Sequence, residues 1–378
     1  MMSITDQIKE YALEIGYCKV GITTAECFPE FIADLKAKSD TYAFYIDAPS
    51  QPLAGADPQS VMPSAGSIIT VAYDYAQNAF PEQLLNKVGR IYQARCYLAP
   101  ADRTNGGRQA LMKEFIEKMG LKIGNGIRIP ERIAAARAGI ATFGRNNFAY
   151  TEEVGSFIVL QSYVVDKELE YDTPTMEVGC PEGCSACMRA CPTQAIYAPL
   201  KLNPYRCIGF NQWKMVDGTP DNLTSFIPYE IREKMGGSIH GCDVCQEVCP
   251  RNRARMKAEL PPDAFLFRIA GDITYENLLA MTDAFYTTRV KPIMYNYIRE
   301  KKYFQRNAAI AMGNSGDAAY VPHLAQAMED AEPLVREYAA WALGRIGGAK
   351  AKQILENSLG KENAEPVKRE IRRALDAL

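Results

Sequence analysis

Histidine is nearly absent from this sequence. Among 378 residues only His240 and His323 carry an imidazole, so a His-built metal centre or a Cys/His nucleophile pair has little material. No apolar run approaches the ~20 residues of a membrane-spanning helix, and mean hydropathy is -0.21. No membrane association is therefore expected. The opening segment Met1–Glu10 carries acids and no apolar core. It reads as neither a secretory signal nor a twin-arginine leader, and the expected location is the cytoplasm. Neither sign of charge dominates: the net charge is -2, which excludes a globally basic nucleic-acid binder but leaves room for a local basic face. A Gly-rich nucleotide loop is also missing, since Gly66 and the set Gly120, Gly124 and Gly126 read as turns.

What the chain does have is cysteine, eleven in all. In a reducing compartment, clustered cysteines read as metal ligands rather than disulfides. One run is Cys180-x3-Cys184-x2-Cys187-x3-Cys191-Pro192, and a second is Cys242-x2-Cys245-x3-Cys249-Pro250, with Cys207 alone between them. Eight thiolates are the number that two 4Fe-4S clusters need. In two-cluster ferredoxins the cysteine before the proline ligates the other cluster. That crossing rule assigns Cys180, Cys184, Cys187 and Cys249 to one cluster. It assigns Cys191, Cys242 and Cys245 to the other, whose remaining corner falls to Cys207. A structural zinc site would use four ligands without paired Cys-Pro endings. Cys18, Cys27 and Cys96 show no such spacing and read as small buried residues.

The rest of the chain divides by texture. Ile4, Ile8, Tyr11 and Ile15 follow helical spacing. Cys18 to Ile22, Ser67 to Tyr73 and Phe157 to Val165 read as strands, and Leu111, Phe115 and Met119 mark another helix. The segment Glu131 to Gly139 is Ala-rich and helical, and Asp47 to Ser64, with four prolines, reads as a long surface connection. From about residue 303 an internal repeat appears: Asn307 to Gly316 matches Tyr338 to Gly347 at an offset of 31 residues. A period near 30 built from paired helices marks an α-solenoid of the HEAT type, here of two to three units. Solenoid units contact chiefly their neighbours, so removing them is expected to leave the cluster region intact. The expected fold class is α+β, with domains at 1–175, 176–260 (ferredoxin-like, two clusters), 261–302 (helical connector) and 303–378 (HEAT-like repeats).

Several motifs resemble the epoxyqueuosine reductase family. They are Ala138-Gly139-Ile140 with Phe143-Gly144-Arg145-Asn146, then Gly155-Ser156-Phe157, Cys207-Ile208, His240-Gly241-Cys242-Asp243-Val244-Cys245, and Ala311-Met312-Gly313-Asn314-Ser315-Gly316-Asp317. The likeness covers nearly the whole chain and is weakest before residue 130. It implies a cobalamin-dependent oxidoreductase that reduces an epoxide on a tRNA anticodon base to an alkene, in queuosine biosynthesis. It further implies a nitroreductase-like cobalamin-binding fold for residues 1–175. Two 4Fe-4S clusters would be fed by an external low-potential donor such as ferredoxin or flavodoxin. Reduced cobalamin is a strong nucleophile, and the clusters would supply its electrons. The same likeness places Ala149, Thr151, Leu160, Ile208 and Gly241 against the cobalamin.

Opening an epoxide also needs an acid for the departing oxygen. Counting back from Glu131-Arg132, the family's aspartate position falls on Asn125, which cannot give up a proton near neutral pH. Tyr92, Tyr97, Tyr150 and Glu131 are the candidate replacements. Three basic patches fit phosphate contacts to tRNA: Arg251 to Lys257; Arg299, Lys301, Lys302 and Arg306; and Lys368, Arg369, Arg372 and Arg373. Two other functions stay open. One is a small-molecule, dehalogenase-like cobalamin reductase, which Asn125 favours; the other is a non-catalytic iron–sulfur electron carrier.

Overall fold

A computed structural model describes residues 2–47, 52–98, 102–213, 226–294 and 300–378. The chain opens with the helix Ile4–Glu14, whose first turn is closed by Ser3 Oγ accepting from the backbone N–H of Asp6 at 3.1 Å. Its buried side is Thr5, Ile8 and Ala12, so Ile4 lies at the exposed margin rather than on the inner face that its spacing suggested. Three strands then form one antiparallel sheet in the order β1 (Lys19–Thr24), β2 (Ser67–Asp74) and β5 (Ile158–Val165). Between β2 and β5 lies a two-stranded hairpin of β3 (Thr142–Phe143) and β4 (Ala149–Tyr150).

Strand alternation gives the sheet two faces. Tyr163 and Val165 join Ile8, Ala12, Met112 and Ile116, from helices Ile4–Glu14 and Gly106–Lys118. Val164 joins Ile68, Ile129 and Ala134 on the other face, where the helix Glu131–Arg137 packs. Asp47 to Ser64 is not a plain surface connection. Its described residues include short helices at Pro52–Gly55 and Pro58–Val61, and Pro52, Gly55, Ala56 and Pro58 are buried; residues 48–51 lie outside the described set. Prolines at the first turn begin helices as readily as they mark loops.

Beyond the sheet come a small hairpin, β6 (Ile196–Ala198) with β7 (Lys201–Leu202), and short helices at Ala186–Ala190, Ile208–Trp213 and Val244–Glu247. The C-terminal repeats are helices Lys301–Ser315, Val321–Ala327, Pro333–Ile346, Ala349–Leu359 and Glu365–Asp376. The 31-residue period has a packing cause. A Cβ on Gly313 would stand 2.9 Å from Ala342 Cα, and one on Gly344 would stand 2.9 Å from Ala374 Cα. At each step the missing side chain lets the next helix close in.

The repeats are not an independent appendage. One continuous core runs from Leu84, Val88, Ile208 and Ile239 through Leu266 and Phe304 to Val335, Ile371 and Ala374. Arg232, fully buried, lies 4.0 Å over the Tyr338 ring and 4.4 Å over Tyr229, and its Nη1 stands 3.4 Å from Glu370 Oε2. The helix Lys301–Ser315 also grips the second cysteine run from behind. Arg306 Nη2 donates to the Gln212 carbonyl, and Asn307 Nδ2 donates to the Ile239 carbonyl, each at 2.8 Å. These contacts run against the expectation that the repeats can be removed without cost to the cluster region.

Candidate functional site

The eight cysteines gather in two places. Cys180, Cys184, Cys187 and Cys249 line one cavity, together with Arg145, Asn146, Tyr150 and Arg251. Cys191, Cys207, Cys242 and Cys245 form the other group, and each of the last two feels the charge of both Cys191 and Cys207. Proline follows Cys191 and Cys249, the two cysteines that cross between runs. Among the described residues, no three His, Cys, Asp or Glu side chains gather as ligands of a single ion.

The surroundings of the sulfurs suit thiolates. Arg145 N–H donates to Cys180 Sγ at 3.3 Å, Tyr150 Oη–H to Cys249 Sγ at 3.2 Å, and Ala195 N–H to Cys191 Sγ at 3.2 Å. Burial pushes the Cys191 thiol up. Hydrogen bonds from Thr193, Ala195 and Ile196 outweigh it and hold the thiol below its usual range. Cys242 shows the opposite balance: burial first, then its neighbours Cys207, Asp243 and Cys191, push it up to about 12. Buried thiols that repel one another cannot all ionise without a cation among them. A cationic iron–sulfur cluster meets that need, so both groups fit a cluster.

Residues that spacing does not single out as ligands steady the first group. The Arg145 guanidinium donates to the Cys184 carbonyl, and Arg251 lies 4.2 Å over the Tyr150 ring while donating to the Phe143 carbonyl at 3.2 Å. Arg145 and Asn146 lie inside the Phe143–Asn146 motif, so a signal for them was present. Gln212, which supports the second group, gave none: its Oε1 accepts from Gly241 N–H at 2.7 Å and its Nε2 donates to Ser238 Oγ at 2.8 Å.

The residues expected against cobalamin divide. Ile208 and Gly241 border a cleft of about 260 Å³ with Gly89, Ser238 and Cys242. Ala149 and Thr151 are buried in and after β4, and Leu160 is half-buried on the sheet. Arg132 follows Glu131 at the start of the Ala-rich helix. Its guanidinium donates to the Asn147 carbonyl, two residues before Ala149. Its charge also reaches Tyr42, which in turn feels Cys207. The lining of that cleft holds Ile208 and Gly241 but not Ala149, Thr151 or Leu160; the apolar and small side chains of the first two suit a large flat ligand such as a corrin.

The four candidate acids separate. Tyr150 belongs to the first cysteine group, and burial and Cys249 raise its phenol far above the usual range. Tyr92 stacks 4.1 Å from the His240 ring and 5.6 Å from Tyr97, behind the second group. Glu131 stands on the sheet side, where Ser162 Oγ donates to its Oε2 at 2.5 Å. Asn125 is exposed, on a loop whose Gly124 N–H donates to the Val164 carbonyl at 2.9 Å.

The basic patches are largely spent inside the protein. Arg255 pairs with Asp74 and Arg251 with the first cysteine group, while Arg306 is 1% exposed. Lys301 pairs with Asp283 at 2.7 Å and Lys302 with Glu300 at 2.6 Å; Arg299 lies outside the described residues. Arg373 stacks on Tyr229, and Arg369 and Arg372 are exposed. Of the three remaining cysteines, Cys96 is buried as expected, but Cys18 and Cys27 are only half-buried.

Comparison with known proteins agrees with this layout. The 4Fe-4S double cluster binding domain family matches residues 180–252, and the HEAT repeats family matches 295–376. The epoxyqueuosine reductase of Bacillus cereus is 30% identical over 99% of this chain and 98% of its own length. The chain belongs to the epoxyqueuosine reductase family. The Bacillus subtilis epoxyqueuosine reductase is 29% identical, over 99% of this chain and 96% of its own. A crystal structure of epoxyqueuosine reductase with an epoxyqueuosine-modified tyrosine-tRNA stem loop superimposes with a TM-score of 0.79. It is 28% identical and covers 99% of this chain and 98% of that one. The family consists of oxidoreductases, and its double-cluster and HEAT parts lie where the two cysteine groups and the helical repeats lie here. Among the described residues no helix is long and apolar enough to cross a membrane.

Proposed function

We propose that this chain reduces epoxyqueuosine in tRNA to queuosine in the cytoplasm. The observation that carries this reading is family membership along the whole chain, including a relative solved with an epoxyqueuosine-modified tRNA stem loop. In this reading Cys180, Cys184, Cys187 and Cys249 hold one 4Fe-4S cluster, and Cys191, Cys207, Cys242 and Cys245 hold the other. The grouping of the thiols and their N–H and O–H donors support it. Ile208 and Gly241, with Ala149, Thr151 and Leu160, would hold the corrin. Cobalamin, once reduced, supplies a strong nucleophile in that cleft. Residues 1–175 form the catalytic domain, 176–260 the cluster domain, 261–302 the connector and 303–378 the repeats. Electrons enter from a ferredoxin or flavodoxin.

The protein's own residues set what the site does with the base. Arg132 and Tyr42 are electrostatic neighbours, and Tyr42 feels the charge of Cys207. The exposed cations Arg253, Lys257, Arg369 and Arg372 are the ones left for phosphate. Protein reconstituted anaerobically with iron, sulfide and cobalamin should convert epoxyqueuosine to queuosine in tRNA when a low-potential donor is added. Its tRNA affinity should fall with salt. A fully loaded protein that leaves the epoxide untouched overturns the reading. Asn125 favours a second reading, a small-molecule reductase with the same cofactors. That protein would reduce a carbon–halogen bond and show no salt-dependent affinity for tRNA.

A further inference from the structure

The position that supplies a carboxylic acid in the family carries an amide here, so the proton for the departing oxygen must come from elsewhere. Gly124, the residue before Asn125, lies against Val164, at the end of β5 away from Leu160. Ser162 stands between them. Leu160, Ser162 and Val164 alternate onto one face of the sheet, each pair ~7 Å apart along the strand. Glu131 is bound to Ser162, one alternate position nearer Leu160 along the strand than the Gly124 contact at Val164.

The carboxyl is held rather than free. Thr70 and Ser162 face each other across β2 and β5, with their hydroxyl oxygens 2.9 Å apart, and Ser162 donates to Glu131. The residue is walled by protein yet half-exposed, and the next residue, Arg132, is exposed. We propose that Glu131 is the proton donor for the epoxide oxygen in this protein, in place of the acid that Asn125 cannot be. This rests on the epoxide-reducing function proposed above.

Converting the epoxide to the alkene breaks both C–O bonds, forms one C=C bond and releases the oxygen as water. It consumes two electrons from the ferredoxin or flavodoxin and two protons. Glu131 gives the first proton to the oxygen as the first C–O bond opens. It regains a proton from water through its exposed side and delivers the second as the oxygen leaves.

Burial pushes the Glu131 carboxyl up to about 7; the Ser162 hydrogen bonds and the Arg128 charge lower it without reversing the shift. On the opposite face of the sheet, Tyr163 and Tyr17 are raised by burial and stay neutral. The Arg132 guanidinium is turned to the Asn147 carbonyl. A carboxyl near 7 is matched to proton transfer at neutral pH.

Two measurements test this. In the cofactor-free protein, the infrared C=O band of the protonated acid, identified by its loss in Glu131→Gln, should titrate near neutral pH. In the loaded enzyme, epoxide reduction should fall as pH rises through about 7. Glu131→Gln should lower the rate ~10²–10⁴-fold and flatten that profile, with iron content and corrin absorbance unchanged. Ser162→Ala removes a bond that lowers the carboxyl, so it should move the limb to higher pH, a shift that a merely structural role would not produce. The proposal is overturned if Glu131→Gln keeps the wild-type rate and limb, or if the band titrates in the ordinary range near ~4. A loaded wild type that reduces no epoxide overturns the functional reading and the donor role together. An active wild type with an equally active Glu131→Gln overturns the donor role alone.

Discussion

Asn307 donates from its side-chain amide to the carbonyl of Ile239 at 2.8 Å. Both residues are fully buried, and Ile239 lies three positions before Cys242. The first repeat helix thus completes the wall behind the second cysteine group. Asn307→Ala leaves that carbonyl buried without its partner, which costs about 1–3 kcal/mol. The variant should show a lower denaturation midpoint and retain less iron, and deleting residues 301–378 should show both effects more strongly. Equal iron retention in the truncated protein would contradict the shared core.

Cys207 stands apart in sequence but belongs with Cys191, Cys242 and Cys245 in space. Cys207→Ala should bring iron content from about eight to about four per chain. The cluster assigned above to Cys180, Cys184, Cys187 and Cys249 should survive, seen as a single remaining paramagnetic species after reduction. A variant that keeps both clusters sinks the assignment.

Arg232 is a buried cation enclosed by Tyr229 and Tyr338, with Glu337 and Glu370 beside it. Arg232→Ala strands the two carboxylates in the core, and the loss should reach about 3–5 kcal/mol. Adding Glu337→Gln and Glu370→Gln should recover part of it. Chemical denaturation of the three variants measures the difference.

Glu362 accepts from Arg336 Nε at 2.7 Å and Nη2 at 2.9 Å, and from the N–H groups of Asn363 and Ala364 at 2.8 Å each. The Arg336 hydrogen bonds are the main cause holding its carboxyl down at about 2. Unfolded, it titrates near ~4.3. The folded value is the lower one, so the stabilisation is fully present above the unfolded value and lost as pH falls through the folded one. Arg336→Gln should therefore lower the melting temperature at pH 6, and its gap from wild type should close toward pH 2. Cluster-free protein keeps the acid lability of the clusters out of the measurement.

Legibility followed distance along the chain. The cysteine groups were readable because most of these cysteines fall within a few residues of one another. The repeats were readable because Gly313 and Gly344 recur where the next helix must come close. Arg306 and Asn307 were not: their partners Gln212 and Ile239 lie 94 and 68 positions away. Arg306 accordingly looked like a surface cation by composition, and Arg251 and Arg255 misled in the same way, since a count of charges does not show which acid or carbonyl waits inside. Glu131 could be suspected from sequence but not separated from three tyrosines, because Ser162, which fixes it, is 31 residues on.

The bond between Asn307 and Ile239 also dictates an order of events during synthesis. A ribosome delivers the chain N-terminus first, at ~5–20 residues per second. When Cys249 emerges, all eight cysteines exist, but the helix that braces the loop before Cys242 has not yet been made. The second cluster's pocket is finished only after residue 307 has left the exit tunnel and its helix has docked. Chains arrested between Cys249 and Asn307 carry all eight of these cysteines without the hydrogen bond that braces Ile239.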